Sequence, residues 1–175
     1  GTFLGMNEDY DEAIKFQKLA IEKAPFEATF YINLSETLKK INRLEESLSI
    51  LYFAKILSLR DNLIDHKLAS IYTNLKNYLK ADLIYQELMK QSNANSDTIC
   101  SYCSNLIKLK KEKEAIVCLE KHELKNPKNE QVKILLGLAY FKKQQFKLAQ
   151  TFYLKVIKLN NNNVDAYMML GNCYE

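Results

Sequence analysis

Four side chains between residues 100 and 122 have the types and spacing of a metal site. They are Cys100, Cys103, Cys118 and His122, and a Cys-x2-Cys pair followed by further Cys and His ligands is typical of structural zinc sites. Zinc holds its four ligands at about 2.0 to 2.3 Å. The helical pattern described below predicts that Cys103 and His122 face the core, that Cys100 faces an exposed groove and that Cys118 lies on a second helix. Because these directions diverge, we expect no metal ion.

Catalytic and cofactor chemistry find little support in the sequence. The chain has two histidines, and His66 is predicted on a surface that offers neither a nucleophile nor a second base beside it. No two glycines lie close together apart from Gly1 and Gly5, so the sequence has no phosphate-binding loop. We therefore expect no catalytic residue, no cofactor and no enzymatic activity.

Charge and hydropathy argue against two further classes of partner. The net charge is only +4, and lysine far outnumbers arginine, which occurs only as Arg43 and Arg60. Readers of nucleic acid favour arginine, so we expect no nucleic-acid partner, although lysines near the predicted turns, such as Lys142 and Lys143, could form a basic ridge. No apolar stretch is long enough to cross a membrane, and no signal-peptide pattern occurs. The sequence thus predicts a cytoplasmic or nuclear protein without a membrane partner.

A repeat with a step of 34 residues runs through the whole sequence. From Gly137 the step always reaches a small residue, at Gly1, Ser35, Ala69, Cys103 and Gly171. From Ala149 it reaches Ala13, Ser47, Ala81 and Ala115. A fixed period of this length indicates stacked helix-turn-helix units. We expect the small residues where two helices cross so closely that a larger side chain would separate them.

The same frame predicts how the chain is divided. It gives a partial repeat, four complete repeats and the first helix of a further repeat, at 1–27, 28–61, 62–95, 96–129, 130–163 and 164–175. The partial repeat is expected to turn before Asp9, where a second helix begins that ends near Lys23. Since neither end resembles the polar capping helix of a natural array, we expect this single array to be a segment of a longer protein.

The clearest copies of the motif are Leu136-Gly137-x2-Tyr140 and Leu170-Gly171-x2-Tyr174, supported by the repeated alanines and by Pro25 and Pro127 at repeat ends. This pattern resembles the tetratricopeptide repeat family over the entire chain. The tryptophan of the family signature is absent, and Tyr31 and Tyr167 stand in its place in two units. The resemblance implies an all-α, right-handed superhelical solenoid of antiparallel helix pairs, whose first helices line a concave groove that binds peptides or partner helices.

The predicted groove changes character along the chain. Its early part is polar and mixed, whereas its later part is apolar, and exposed apolar surface of this extent normally marks an interaction site. The Lys and Asn arrangement by which cochaperones of this family grip a C-terminal carboxylate is not reproduced. We predict partner-binding groove residues at Ile134, Leu135, Leu138, Phe141, Met168, Met169, His66 and Lys67.

The sequence therefore predicts a non-enzymatic scaffold or adaptor that binds a peptide or partner helix in the groove, within a multiprotein complex. An alternative that the resemblance also implies is an accessory arm of an enzyme, such as a glycosyltransferase, whose catalytic domain lies outside this chain. The apolar groove could be covered by another protein or by neighbouring repeats of the same protein. The sequence leaves these two occupants open.

Overall fold

The computed structural model describes residues 2–58, 61–91 and 94–174, whose regular secondary structure is helical throughout. Ten helices occur in these ranges: α1 Thr2–Lys23, α2 Ala28–Lys40, α3 Leu44–Leu57, α4 Asn62–Asn74, α5 Tyr78–Lys90, α6 Ser96–Lys108, α7 Glu112–Lys125, α8 Glu130–Lys142, α9 Phe146–Leu159 and α10 Val164–Gly171. The prediction of an all-α chain of antiparallel helix pairs is confirmed. We call α2, α4, α6, α8 and α10 the first helices.

The chain divides into two compact units, Gly1–Leu88 and Met89–Glu175, which we call the N-terminal and the C-terminal unit. The core of the N-terminal unit centres on buried aliphatic residues of α2, α3 and α4, among them Leu51, Ile64 and Leu68. The core of the C-terminal unit is built from α6, α7, α8 and α9, with Leu119 and Leu136 fully buried. Each unit therefore has an apolar interior of its own.

The turns within the helix pairs share one backbone conformation at the predicted step. One residue in each turn has a positive φ, namely Asn42, Lys76, Lys110 and Gln144. The next residue donates its backbone N–H to a carbonyl five positions earlier, at 2.8 to 2.9 Å, in the pairs Arg43 to Leu38, Asn77 to Tyr72, Lys111 to Leu106 and Gln145 to Tyr140. This is the Schellman arrangement, which ends a helix and reverses the chain. The four turns thus set the antiparallel packing of each pair.

Four first helices begin with a side-chain cap. Asp61, Asn95, Asn129 and Asn163 accept a hydrogen bond from a backbone N–H of the first turn of α4, α6, α8 and α10, at 2.8 to 3.1 Å. Such caps satisfy amides that have no partner within the helix. These caps recur at the sequence step, so they give every one of these helices a fixed starting residue.

The small residue Gly137 of α8 lies where this helix crosses α9 closely. A Cβ built on Gly137 would meet the Tyr153 ring at 2.5 Å, whereas one built on Gly171 would have nothing within 4 Å. In the N-terminal unit Ser35 is fully buried, and Ser47 donates its hydroxyl to the Ser35 carbonyl at 2.7 Å. The close crossing predicted for Gly137 is therefore real, and the equivalent crossing at Ser35 carries a polar contact.

The start of the chain differs from the expectation. The predicted turn before Asp9 is absent, because α1 runs without a break from Thr2 to Lys23. Glu8 lies 34 residues before Asn42, yet it is helical, whereas Asn42 has a φ of 61°. The predicted helix end near Lys23 is correct.

Candidate partner-binding face

The four residues with zinc-like spacing lie in or against the core of the C-terminal unit. Cys103 is fully buried and His122 is buried, as expected, but Cys100 is buried as well and does not face a groove. The expectation for Cys100 is wrong because α6 packs against α8 as well as α7, and Cys100 belongs to the resulting cluster. Among the described residues, no three His, Cys, Asp or Glu side chains converge as metal ligands would.

His122 takes part in a polar network at the boundary between two helix pairs. Its Nε2 lies 2.9 Å from Ser96 Oγ, which in turn accepts a hydrogen bond of 2.7 Å from Asn129 Nδ2. Asn129 also caps α8 through its other side-chain atom. The network joins the start of α6, the last turn of α7 and the start of α8, so the histidine has a structural contact there.

The first helices of the N-terminal unit carry a polar face whose side chains pair with one another. Lys67 Nζ of α4 lies 2.7 Å from Glu36 Oε1 of α2, and Lys39 Nζ donates to Ser70 Oγ at 3.0 Å. Burial raises the pKa of Glu36, but the hydrogen bond and the charge of Lys67 outweigh it, so the pKa is lowered overall. This face therefore satisfies much of its polar chemistry internally.

Two of the predicted groove residues, His66 and Lys67, belong to this polar face. Lys67 is held by Glu36. His66 is half-buried, and its ring centroid lies 6.2 Å from that of Tyr85. Both side chains thus make contacts within the N-terminal unit, where they hold neighbouring helices together. A partner would have to compete with these contacts.

The C-terminal unit presents apolar side chains at the corresponding surface. Ile134, Leu138 and Phe141 of α8 and Met169 of α10 are partly exposed, and Met168 is 54% exposed. We call these five residues the apolar face. Phe141 and Met169 pack against the same buried cluster, which contains Tyr153, so the structure brings α8 and α10 side chains together there.

Leu135 does not belong to this face. It is only 4% exposed and lies in the core cluster with Leu136 and Ala139. The prediction of an exposed Leu135 is wrong, because α8 packs against α6, α7 and α9 and therefore buries most of its circumference. Ile134 and Leu138, on the remaining strip of the same helix, keep part of their surface.

Exposed lysines end two of the first helices of the C-terminal unit. Lys108 and Lys142 are the last residues of α6 and α8, and both are exposed. The sequence predicts Lys142 near a turn, as part of a general basic ridge. The separation of Lys108 and Lys142 by 34 residues was the available signal for the pair, because it places them at the same point of two successive first helices.

Comparisons with known proteins agree with this geometry. Residues 130–163 match the family model of the tetratricopeptide repeat. No curated protein matches the chain. No helix in the described part of the chain combines the length and the apolar character needed to span a membrane.

Several solved structures share the fold. A tetratricopeptide repeat protein from Parabacteroides merdae is 18% identical with a TM-score of 0.83, and the alignment covers 99% of this chain and 69% of that one. A thermophilic repeat protein from Thermus thermophilus is 14% identical with a TM-score of 0.78, covering 99% and 95%. YrrB, described as having an unusual peptide-binding site, is 21% identical with a TM-score of 0.69, covering 90% and 81%.

These likenesses show the fold and leave the partner open. The repeat match falls on the segment that contains α8 and α9. Both findings agree with the regular turns, caps and close crossing described above. The chain therefore has the fold of tetratricopeptide repeat proteins, and its residues 130–163 match that repeat.

Proposed function

We propose that this chain is a non-enzymatic scaffold that binds a peptide or partner helix on the apolar face of its C-terminal unit. The observation that carries the proposal is the partial exposure of Leu138 and Phe141 on α8 together with the 54% exposure of Met168 on α10. Covering apolar surface contributes roughly 25 cal/mol per Å². Polar surface that is already paired within its own unit offers no comparable gain.

The shape of the face favours an amphipathic helix or a short extended peptide with apolar anchors. A helical partner would present anchors at positions i, i+3, i+4 and i+7. Methionine suits such a site because its unbranched side chain adapts to differently shaped partners, and the face offers Met168 and Met169. Phe141 lies edge-on to Phe146, with ring centroids 5.3 Å apart, and supplies a stiffer wall.

The charges at the ends of α6 and α8 favour acidic residues in the partner beside its apolar anchors. Lys108 and Lys142 end the two first helices that lead to the face and are exposed. Exposed charges of this kind raise association rates and fix register more than they raise affinity. We therefore expect binding to weaken moderately with added salt.

The likeness to YrrB supports the proposal at the level of the fold. That protein is described as having a peptide-binding site, which shows that such an array can hold a peptide. The identity is 21%, so no residue of its site is transferred to this chain. The face described here rests on the side chains of α8 and α10 alone.

A displayed library of random peptides, selected on the full chain, tests the proposal. We expect enriched peptides with apolar residues at helical spacing and acidic residues beside them. The Leu138→Glu variant should fail to enrich the same peptides. If the variant enriches them as well as the wild type does, the apolar face is not the binding surface.

Gel filtration of the same two proteins tests whether another occupant, a second copy of this chain, covers the face. We expect the wild type and Leu138→Glu to elute at the same volume. If the wild type elutes as a dimer and the variant as a monomer, the face is covered by another copy, and the peptide proposal fails.

A further inference from the structure

Three free thiols lie together in the C-terminal unit, and the proposed binding face uses none of them. Cys100 and Cys103 of α6 belong to the main core cluster, and Cys118 of α7 packs against it. Their exposure differs, because Cys103 is fully buried and Cys100 is 8% exposed, whereas Cys118 is partly exposed. Small reagents in solution can therefore reach Cys118 first.

Two open cavities meet at Cys118. One has a volume of about 420 Å³ and is bounded by the apolar side chains of Tyr102 and Val117. The other has a volume of about 250 Å³ and includes the exposed Lys121 and the buried His122. The sulfur of Cys118 thus borders solvent-accessible space on two sides and a lysine on both of them.

The surroundings also shift the pKa values of the Cys118 and Cys103 thiols in opposite directions. The hydrogen bond from Cys103 lowers the pKa of Cys118 more than burial raises it, and the charge of Lys121 lowers it further. The same contact with Cys118, followed by burial, raises the pKa of Cys103. Burial raises the pKa of Cys100 to about 11. Thiolate character and access therefore coincide at Cys118, which is the combination found at reactive cysteines.

We propose that Cys118 is a site of oxidation by small hydroperoxides and that Cys103 resolves the oxidised sulfur as an intrachain disulfide. The pairing follows from position, because Cys103 on α6 lies in the core cluster against which Cys118 on α7 packs. A reachable thiol beside a buried second thiol is the arrangement expected of a reversible thiol pair. Cys103 itself is shielded from the oxidant.

The chemistry balances in two steps. The Cys118 thiolate attacks the terminal oxygen of the hydroperoxide, so that an S–O bond forms, the O–O bond breaks and the departing alkoxide or hydroxide takes a proton from water. Cys118 is then a sulfenic acid, and the hydroperoxide has been reduced to an alcohol or water. The Cys103 sulfur attacks the Cys118 sulfur, an S–S bond forms, the S–O bond breaks, and the hydroxyl leaves as water with the Cys103 proton.

Limited treatment with hydrogen peroxide, followed by alkylation and peptide mass spectrometry, tests the proposal. The experiment uses the full chain with Cys173→Ser, because Cys173 lies just beyond the end of α10 and would add labelling of its own. We expect a peptide pair joined between Cys103 and Cys118, lighter by two hydrogen atoms than the reduced pair. Alkylation of Cys118 in the untreated protein should be about tenfold faster than that of Cys100.

Three single substitutions distinguish the roles. Cys118→Ser should abolish the joined pair and leave Cys103 reduced, whereas Cys100→Ser should leave the pair intact. Hydrogen peroxide treatment of the Cys103→Ser variant should convert Cys118 into a sulfenic acid that dimedone traps. Circular dichroism checks that each variant is folded. If Cys103 or Cys100 is oxidised at the wild-type rate in folded Cys118→Ser, or if dimedone traps Cys118 while Cys103 is present and no joined pair forms, the proposal is overturned.

Discussion

The first helices of the two units carry different chemistry at the same place of the repeat. In the N-terminal unit that place holds Glu36 and Ser70, which accept hydrogen bonds from Lys67 and Lys39. In the C-terminal unit it holds Ser104 and Leu138, and Leu138 keeps part of its surface exposed. The polar side chains of the N-terminal unit thus pair with one another, whereas the apolar face of the C-terminal unit remains partly exposed. The difference teaches that one repeat backbone can support both a surface of paired polar side chains and a surface of partly exposed apolar side chains.

A second comparison concerns the place where the family signature has tryptophan. Asp65 of α4 pairs there with Lys55 of α3 in the N-terminal unit. Lys133 of α8 pairs with Glu123 of α7 at 3.3 Å in the C-terminal unit, with the charges reversed. Lys55 lies ten residues before Asp65, and Glu123 lies ten residues before Lys133, so the two ion pairs occupy equivalent places of the repeat. They differ in exposure, since the Lys133 side chain is 6% exposed and that of Lys55 is 37% exposed.

The largest stability effect is expected from the buried pair. Lys133→Met should lower the free energy of unfolding by about 2 to 3 kcal/mol, because it leaves Glu123 without its nearest cation. Lys55→Met should cost no more than about 1 kcal/mol, since solvent screens a half-exposed pair. Methionine keeps the packing of the lysine stem in both variants. Urea unfolding of the full chain measures the two costs.

Equal losses of stability in Lys133→Met and Lys55→Met would contradict the claimed difference in burial between the two ion pairs. The double variant with Glu123→Lys and Lys133→Glu provides a further check, because it copies the polarity of Lys55 and Asp65. It should recover little of the stability lost in Lys133→Met, because Lys155 lies 3.9 Å from the Glu123 carboxylate and the Lys133 ammonium also donates to the Pro127 carbonyl.

The close helix crossing gives the next effect. Gly137→Ala should destabilise the chain by about 1 to 2 kcal/mol, since overpacking against the buried Tyr153 ring outweighs the gain of about 1 kcal/mol in helix propensity. Gly171→Ala is the matched control, because a Cβ there has nothing within 4 Å. Thermal unfolding followed by circular dichroism compares the two. A stabilised Gly137→Ala protein would show that the crossing is looser than described.

The turns give an effect of opposite sign. Gln144 in the C-terminal unit has a φ of 59°, and Asn42 in the N-terminal unit has a φ of 61°. Gln144→Gly should stabilise the chain by about 0.5 to 1 kcal/mol, because glycine adopts this conformation without the Cβ clash. Asn42→Gly should change stability by only a few tenths of a kcal/mol, since asparagine tolerates it. Urea midpoints that shift equally in both variants would contradict this account of the turns.

The smallest effect is a pH dependence confined to the polar face. The folded-state pKa of Glu36 is lowered below its ordinary value of 4.5, so its contribution to stability is present above that value and is lost as the pH falls through the folded-state pKa. The stability difference between wild type and Glu36→Gln should therefore shrink on acidification below pH 4.5. Leu138→Gln, at the equivalent place, should show a difference from wild type that does not change with pH. A constant difference for Glu36→Gln would argue that the Lys67 pair contributes nothing.

The sequence predicted the period, the helix pairs and the close crossing, because these depend on residues that contact each other within one repeat. It failed where exposure depends on a neighbouring pair. Cys100 and Leu135 are buried by helices on two sides, and no pattern within one repeat indicates that coverage. The continuous α1 was missed because the acidic residues from Asp9 onward were interpreted as the start of a helix, although they lie inside α1.

The ion pairs that replace tryptophan were predictable in principle. Lys55 and Asp65, like Glu123 and Lys133, have opposite charges ten residues apart at the same points of the 34-residue step. Recognising them requires knowing that the last turn of one repeat packs against the first turn of the next. The apolar face was predicted in part. The sequence named four candidate residues on α8, and of these only Leu135 is buried.

The central claim is that the apolar face of the C-terminal unit is the binding surface. The most direct test is the dissociation constant of a selected peptide for wild type, Leu138→Glu and Ser70→Glu, measured by calorimetry. The two variants introduce the same charge at the same place of the repeat, and Glu36 already occupies that place in α2, so the fold accommodates it. We predict at least about tenfold weaker binding for Leu138→Glu and a change of less than about twofold for Ser70→Glu. Equal losses in both variants, or none in Leu138→Glu, would contradict the account.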